Sequence, residues 1–359
     1  MTDYANAIFK ILTATGSGTG FYVPARDLYV TNFHVIAGDR KVALQDQQQN
    51  RYLAHVVFVN RDLDLAFLKS EHRPDGAPEI ALDKNVIAQN LQRIYVHGFP
   101  FGMPYTVTEG IISSPNQMLN GRQYIQTDAA VNPGNSGGPM LSSDGKLLAV
   151  TTLKFSRADN VGFGIPARYV IEELESFRPD GFTFHVKCDT CSNLITDRSE
   201  FCPHCGHDIP EDIFERPPMS YFAQFVEDAL QAMQLDPVLA RSGRDYWEFH
   251  QGSAHVRIFV YQDDYLVATS PINRLPKQDI EPLLKKILSQ DPLFEGYALG
   301  VSDNQLYLSY RVHLSDIFSD KKDEIKKALG RLPLKADELD HYFLENYGCE
   351  LAREAKQTP

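Results

Sequence analysis

Ser136 stands in the run Thr127-Asp128-Ala129-Ala130-Val131-Asn132-Pro133-Gly134-Asn135-Ser136-Gly137-Gly138-Pro139. Glycines on both sides of a serine let the backbone turn tightly and expose the hydroxyl. They also aim amide N–H groups at the oxygen that becomes negative when a carbonyl is attacked. The segment Gly134-Asn135-Ser136 is therefore a candidate oxyanion hole, with the amides of Gly134 and Ser136 as the expected donors. A serine hydroxyl alone is a poor nucleophile. It needs a base, and the base needs a carboxylate that fixes its tautomer and stabilises the imidazolium. His34, in Tyr29-Val30-Thr31-Asn32-Phe33-His34-Val35-Ile36, is read as a residue where a strand runs into a turn, and Asp64 opens Asp64-Leu65-Ala66-Phe67-Leu68-Lys69. The chain order His, Asp, Ser is one in which such triads occur. Asp62 competes for the third place, because residues two apart on a strand share a face.

A second constellation is Cys188-x2-Cys191-x10-Cys202-x2-Cys205. Two thiolate pairs, each on a tight knuckle, close tetrahedrally around one Zn2+, and four sulfurs leave no open position for water. The expected metal is thus structural, not catalytic. His204 and His207 are weaker alternatives, since sulfur occupies all four regular positions. The fifth cysteine, Cys349, is remote. Such spacing suits metal binding in a reducing compartment better than a disulfide framework, so the expectation is a cytoplasmic protein.

The segments Gly16-Ser17-Gly18-Thr19-Gly20-Phe21, Thr31 to Val35, the Asp64 strand, Gly98-Phe99-Pro100-Phe101-Gly102 and the Ser136 loop occur in one order over about residues 5–170. Together they closely resemble the trypsin-like serine peptidases of the HtrA/Deg type. That resemblance implies an all-β double barrel and favours Asp64 over Asp62. It also implies that Ala130, six residues before Ser136, lies at the base of the primary substrate pocket. No carboxylate stands there to select Lys or Arg, so a small or medium apolar P1 side chain is expected. In digestive trypsin-like enzymes the residue before the nucleophile is an Asp that pairs with a newly cut N-terminus. Asn135 is uncharged and cannot form that ion pair, so control by ordering of the oxyanion loop is expected instead of zymogen cleavage. Asp128 is expected to support that loop. No counterpart of the PDZ domain usual in the family is expected in this sequence.

The elements that must position these residues follow the same reading. From Ile8 to about Val170, short apolar segments such as Lys41 to Leu44, Ala54 to Val59 and Leu147 to Thr152 alternate with Gly, Pro, Asn and Asp clusters, and Gln45 to Asn50 reads as a surface loop. About 170 residues suffice for two small barrels. The Cys block resembles a zinc ribbon, and the Pro- and acid-rich stretch Ile209 to Pro218 reads as a linker.

Beyond it a helix is expected from Met219 to Leu235, with Phe222, Phe225, Val226, Ala229, Leu230 and Met233 on its core face and Ser220 near its start. Three antiparallel strands follow (Trp247 to Phe249, His255 to Tyr261, Tyr265 to Ala268). Next come a helix from Lys277 to Leu288, a hairpin around Ser302-Asp303-Asn304, and two closing helices, Asp320 to Leu329 and Ala336 to Tyr347. This order resembles the YbjN-like and type III secretion chaperone-like α+β domains, a group whose members commonly dimerise and hold extended peptides, which implies a partner-binding or assembly role. The expected organisation is a trypsin-like domain over 1–178, a zinc ribbon over 183–210 and an α+β domain with an antiparallel sheet over 217–350.

With 359 residues the chain is long for one core. Its net charge of -12 disfavours binding to phosphate backbones, and the acidic flanks of the Cys block disfavour nucleic-acid recognition by the ribbon. The N-terminal residues lack a basic-then-apolar secretory pattern, and no stretch has the roughly 18 to 20 uninterrupted apolar residues of a spanning helix. Protein or peptide substrates, a regulatory partner acting through the C-terminal module, and self-association are the expected associations. The leading expectation is a serine endopeptidase needing no catalytic cofactor. The runner-up is a non-enzymatic adaptor or holdase built on the same scaffold.

Overall fold

The computed structural model describes residues 2–36, 38–154, 160–215, 218–289, 292–294 and 296–354. Residues 1–217 and 218–359 form two compact units.

In the first unit, β1 (Ile8–Leu12), β2 (Ser17–Val23), β3 (Leu28–Thr31), the helical turn α1 (Phe33–Ile36), β4 (Lys41–Gln45), β5 (Arg51–Asn60) and β6 (Leu65–Ser70) precede β7 (Arg93–Gly98), β8 (Thr106–Leu119) and β9 (Arg122–Thr127). Then come β10 (Pro139–Leu141), β11 (Leu147–Lys154), β12 (Gly162–Pro166) and helix α2 (Ala167–Ser176). The strands make two six-stranded antiparallel barrels. The first runs β5-β4-β1-β2-β3-β6 and closes through β5–β6, and the second closes in the order β10-β11-β12-β9-β8-β7. This is the all-β double barrel expected of residues up to about 170. The run Val56-Val57-Phe58-Val59 in β5 is apolar without alternation because both of its faces are buried. Val57 and Phe58 join a core shared with β10 to β12 and α2, whereas Val56 and Val59 face the interior of the first barrel.

The Cys block follows as β13 (His185–Lys187) and β14 (Leu194–Ile195). β13 pairs in parallel with β5, Val186 against Val59, so the Cys block extends the sheet of the first barrel. Val186, Cys188, Ile195 and Cys202 share a core with Phe9, Ile36 and Val42. The stretch read as a linker is also anchored, since Ile209, Ile213 and Phe214 are buried in that core. Its prolines and acids masked three apolar side chains with somewhere to go. Residues 216 and 217 lie outside the described residues.

The second unit contains α3 (Tyr221–Ala232), α4 (Pro237–Ala240), β15 (Arg241–Gly243), β16 (Tyr246–Gln251), β17 (Ala254–Tyr261), β18 (Tyr265–Arg274), α5 (Ile280–Leu288), β19 (Ala298–Ser302), β20 (Gln305–His313), α6 (Lys322–Tyr347) and β21 (Glu350–Leu351). Its sheet runs β15-β16-β17-β18-β20-β19, with β21 beside β18, an α+β arrangement with the expected meander. The hydroxyl of Ser220 caps α3 by accepting the Ala223 amide at 3.1 Å. Asp303 and Asn304, at φ 48° and 62°, make the two-residue turn between Ser302 and Gln305.

One expectation fails here. The two closing helices are a single helix of 26 residues that passes through Pro333. Proline removes one helical hydrogen bond, but Leu329, Leu332, Ala336, Leu339 and Phe343 are all buried along one face, and that packing holds the helix together across the defect.

Candidate active site and metal centre

His34 lies in the helical turn α1 that follows β3, not in the strand itself. The turn before β6 brings Asp64 to it. Asp64 N–H donates to the Arg61 carbonyl at 3.1 Å and Asp64 adopts φ 55°, a left-handed conformation that short polar side chains tolerate. Its carboxylate then meets His34 twice: Oδ1 accepts the His34 amide at 2.9 Å, and Oδ2 lies 2.7 Å from Nδ1. With Nδ1–H donating to Asp64, Nε2 is left as the acceptor that a general base requires. The backbone of Asp64 is held as well, its carbonyl accepting Asn32 Nδ2 at 2.9 Å and Phe33 N–H at 3.1 Å. Asp62 does not compete. The segment between β5 and β6 is a turn, so strand alternation does not apply, and the Asp62 carboxylate pairs with Arg122.

The Ser136 loop is held by both barrels. Thr19 on β2 donates its amide to the Ser136 carbonyl at 2.8 Å and its hydroxyl to the Gly134 carbonyl at 2.6 Å. From the other barrel, the Thr151 carbonyl on β11 accepts Gly137 N–H at 2.8 Å. Glycine is required at two of these positions. A Cβ on Gly134 would stand 2.3 Å from the Phe99 carbonyl oxygen, and one on Gly137 would stand 2.2 Å from that of Thr19, both at positive φ. The Pro133 carbonyl accepts Phe101 N–H at 2.6 Å. Because a trans peptide sets its N–H opposite its C=O, Gly134 N–H points away from Phe101. Asn135 N–H closes a turn onto the Asn132 carbonyl at 2.9 Å, which removes it from the oxyanion donors and leaves Gly134 and Ser136.

The buried side chain of Asn135 donates to the Ala130 carbonyl at 3.4 Å. Ala130 is itself exposed. Asp128 accepts the Ile111 amide at 2.7 Å, which ties the end of β9 to β8.

Thr152, which sequence reasoning did not single out, joins the two halves. Its hydroxyl donates to Asp64 Oδ2, and its carbonyl accepts the Ser136 hydroxyl at 3.3 Å. A threonine within an apolar strand gives no signal of that role. Gly18 completes the approach, since a Cβ there would lie 2.6 Å from Val35 and 3.1 Å from the Ser136 carbonyl. His34 and Asp64 are therefore assembled. Ser136 is joined to Asp64 through Thr152, and among the described residues its hydroxyl makes no hydrogen bond to His34.

The four sulfurs of Cys188, Cys191, Cys202 and Cys205 lie within 4.8 Å of one another. The Cys188–Cys205 and Cys191–Cys202 separations are 3.7 and 3.6 Å. A tetrahedron with Zn–S near 2.3 Å has edges of about 3.8 Å, whereas a disulfide would need about 2.05 Å, so the donor set fits a four-sulfur metal ion. The two knuckles are built alike. Ser192 and Gly206, at φ 60° and 72°, donate back to the carbonyls of Cys188 and Cys202 at 3.0 and 2.8 Å, and the amides of those cysteines donate to the carbonyls of Asn193 and His207 at 2.9 and 2.8 Å. The side-chain amide of Asn193 donates to the Cys191 sulfur at 3.3 Å, a contact that favours the thiolate which binds metal. His204 and His207 are exposed and lie outside the sulfur cluster, and Cys349 is buried in the second unit.

Residues 18–150 match the family model of the trypsin-like peptidase domain. Curated relatives include a "Probable periplasmic serine endoprotease DegP-like" of Marinomonas sp., 33% identical over 170 residues covering 46% of this chain and 36% of the relative. "Protease Do-like 1, chloroplastic" of Arabidopsis thaliana is 37% identical over 177 residues, covering 45% and 40%. "Serine protease HTRA4" of Mus musculus is 35% identical over 173 residues, covering 45% and 35%. The chain thus spans only about a third to two fifths of these relatives. Among solved structures, an "HtrA-type protease AlgWS227A with tripeptide" is 31% identical with a TM-score of 0.44, covering 48% of this chain and 60% of that one. By the sequence matches, residues 18–150 of the double barrel resemble the trypsin-like peptidase domain, and that part of the chain is similar to HtrA/DegP-type proteases.

Proposed function

We propose that the chain is a serine endopeptidase acting on protein or peptide substrates through Ser136, His34 and Asp64. The observation that carries this reading is the 2.7 Å contact between His34 Nδ1 and Asp64 Oδ2, linked through Thr152 to Ser136. His34 Nε2 takes the proton of the Ser136 hydroxyl as Oγ attacks the scissile carbonyl, and Asp64 stabilises the imidazolium. Gly134 and Ser136 N–H receive the oxyanion. His34 then protonates the leaving amine, and water, activated by the same imidazole, hydrolyses the acyl-enzyme. The first step requires the Ser136 hydroxyl to swing from the Thr152 carbonyl to Nε2. That rotation is a point at which substrate or a partner bound by the C-terminal unit controls activity. Ala130 makes the primary pocket suited to small or medium apolar side chains.

One Zn2+ held by Cys188, Cys191, Cys202 and Cys205 is structural and takes no part in the chemical steps. Four thiolates suit a reducing compartment, and the reading places this protein in the cytoplasm, unlike relatives whose names carry periplasmic or chloroplastic. The C-terminal unit is assigned to the YbjN-like or secretion chaperone-like group, with partner binding or self-association as its role.

The resting contact of Ser136 with Thr152 favours a second reading, an adaptor or holdase whose trypsin-like scaffold never turns over. Incubation with casein separates the two. Peptides released by the native chain and absent with Ser136→Ala support the peptidase. Casein bound equally by both proteins and left uncut supports the adaptor.

A further inference from the structure

Lys187 ends β13 immediately before the metal ligand Cys188, and its ammonium grips both oxygens of Glu173 on α2 at 2.7 and 2.9 Å. The Glu173 side chain is 6% exposed and that of Lys187 19%. Asn60, also buried, donates Nδ2 to Glu173 Oε1 at 3.1 Å. Its other end, Oδ1, accepts Leu63 N–H at 2.9 Å, inside the turn that delivers Asp64. Asn60 is moreover the strand partner of Leu65, the residue after Asp64.

A buried carboxylate needs its countercharge, and here the ribbon provides it. With Glu173 charged and fixed, only one orientation of the Asn60 amide presents NH2 to Glu173 and oxygen to Leu63. That orientation secures the turn from residue 61 to Asp64. The backbone at Cys188 is in turn set by the knuckle, in which the Cys188 N–H donates to the Asn193 carbonyl at 2.9 Å.

Building on the peptidase reading, we propose that Lys187, Glu173 and Asn60 are positioning residues through which the metal-bound ribbon sets the geometry of Asp64 and hence of His34. The ribbon is then a metal-dependent control on the triad as well as a structural appendage.

The test uses the zinc-loaded full chain with 15N-labelled histidine. It follows two readouts, the downfield Nδ1 proton of His34 hydrogen-bonded to Asp64 and the rate at which a fluorophosphonate labels Ser136. Lys187→Met and, separately, Asn60→Ala are expected to keep their zinc, to shift or broaden the His34 proton, and to slow labelling by about 10- to 100-fold, the scale of a small misplacement of catalytic groups. Zinc removal by chelation is expected to do the same. Lys187→Met/Glu173→Gln leaves no buried charge and keeps an acceptor for Asn60, so it is expected to restore both readouts. An unchanged His34 proton in Asn60→Ala, or a double variant as impaired as Lys187→Met, would overturn the proposal. Because the proton reads triad geometry without turnover, a native chain that shows it and is never labelled refutes the peptidase reading alone.

Discussion

The hydroxyl of Thr152 donates to Oδ2 of Asp64, the same oxygen that takes Nδ1 of His34. Asp64 thus accepts from three directions, counting the His34 amide on Oδ1, and its orientation is held from the second barrel as well as the first. Hydrogen bonds to charged groups contribute about 1.5 to 3 kcal/mol. Thr152→Val removes the donor and keeps the shape and the carbonyl that meets Ser136. Steady-state kinetics should show kcat lower by about 10- to 100-fold with KM little changed. A rise in KM at constant kcat would place Thr152 in substrate binding instead.

The metal centre makes a prediction about stability. Cys188 and Cys202 are buried in the same core as Phe9 and Val42, so the ribbon is not free to melt alone. Elemental analysis should find one zinc per chain. Cys202→Ser should lose it and lower the unfolding temperature of the first unit, since structural zinc contributes folding free energy directly. A Cys202→Ser chain without metal that melts at the native temperature would contradict the shared core.

A pH dependence follows from His97. Its ring is buried beside Tyr105, with Nδ1 2.7 Å from the hydroxyl, and burial pushes its pKa from 6.5 down to about 4. Between those values the unfolded chain binds a proton that the folded chain refuses. Stability is then full above about pH 6.5 and is lost as pH falls toward 4, by about 3 kcal/mol in all. The His97 carbonyl also lies where a Cβ on Gly138 would reach it at 2.1 Å, so the acid-sensitive residue abuts the nucleophile loop. Thermal unfolding from pH 7 to 4.5 should show a shallower decline for His97→Gln than for the native chain, and parallel declines would exclude His97 as the source.

What could be read from the sequence was the chemistry that depends on residue type. Ser136 among glycines, His34 and Asp64 in order, and four cysteines at knuckle spacing announce themselves because few other residues could do the same work. Choices that depend on a local backbone state were harder. The rivalry of Asp62 rested on strand alternation, yet Asp64 sits in a left-handed turn and Asp62 turns to Arg122. The helix α6 reads as two, Asp320 to Leu329 and Ala336 to Tyr347, because burial along its face is invisible without the sheet beneath it. Least legible were tertiary pairings between polar residues distant in sequence. Thr19 with Gly134, Thr152 with Asp64, and Lys187 with Glu173 and Asn60 are joined only once the barrels close. Those pairings hold the Ser136 loop, the His34–Asp64 pair and the Cys block in place.

The central claim, that Ser136 is a nucleophile activated by His34 and Asp64, is tested most directly by covalent labelling. The native full chain is treated with a fluorophosphonate, with and without casein, and the adduct is located by peptide mass spectrometry. The account predicts one adduct on Ser136, absent from Ser136→Ala and slowed by orders of magnitude in His34→Ala. A native chain that stays unlabelled in both conditions, or an adduct on another residue that persists in Ser136→Ala, would contradict it.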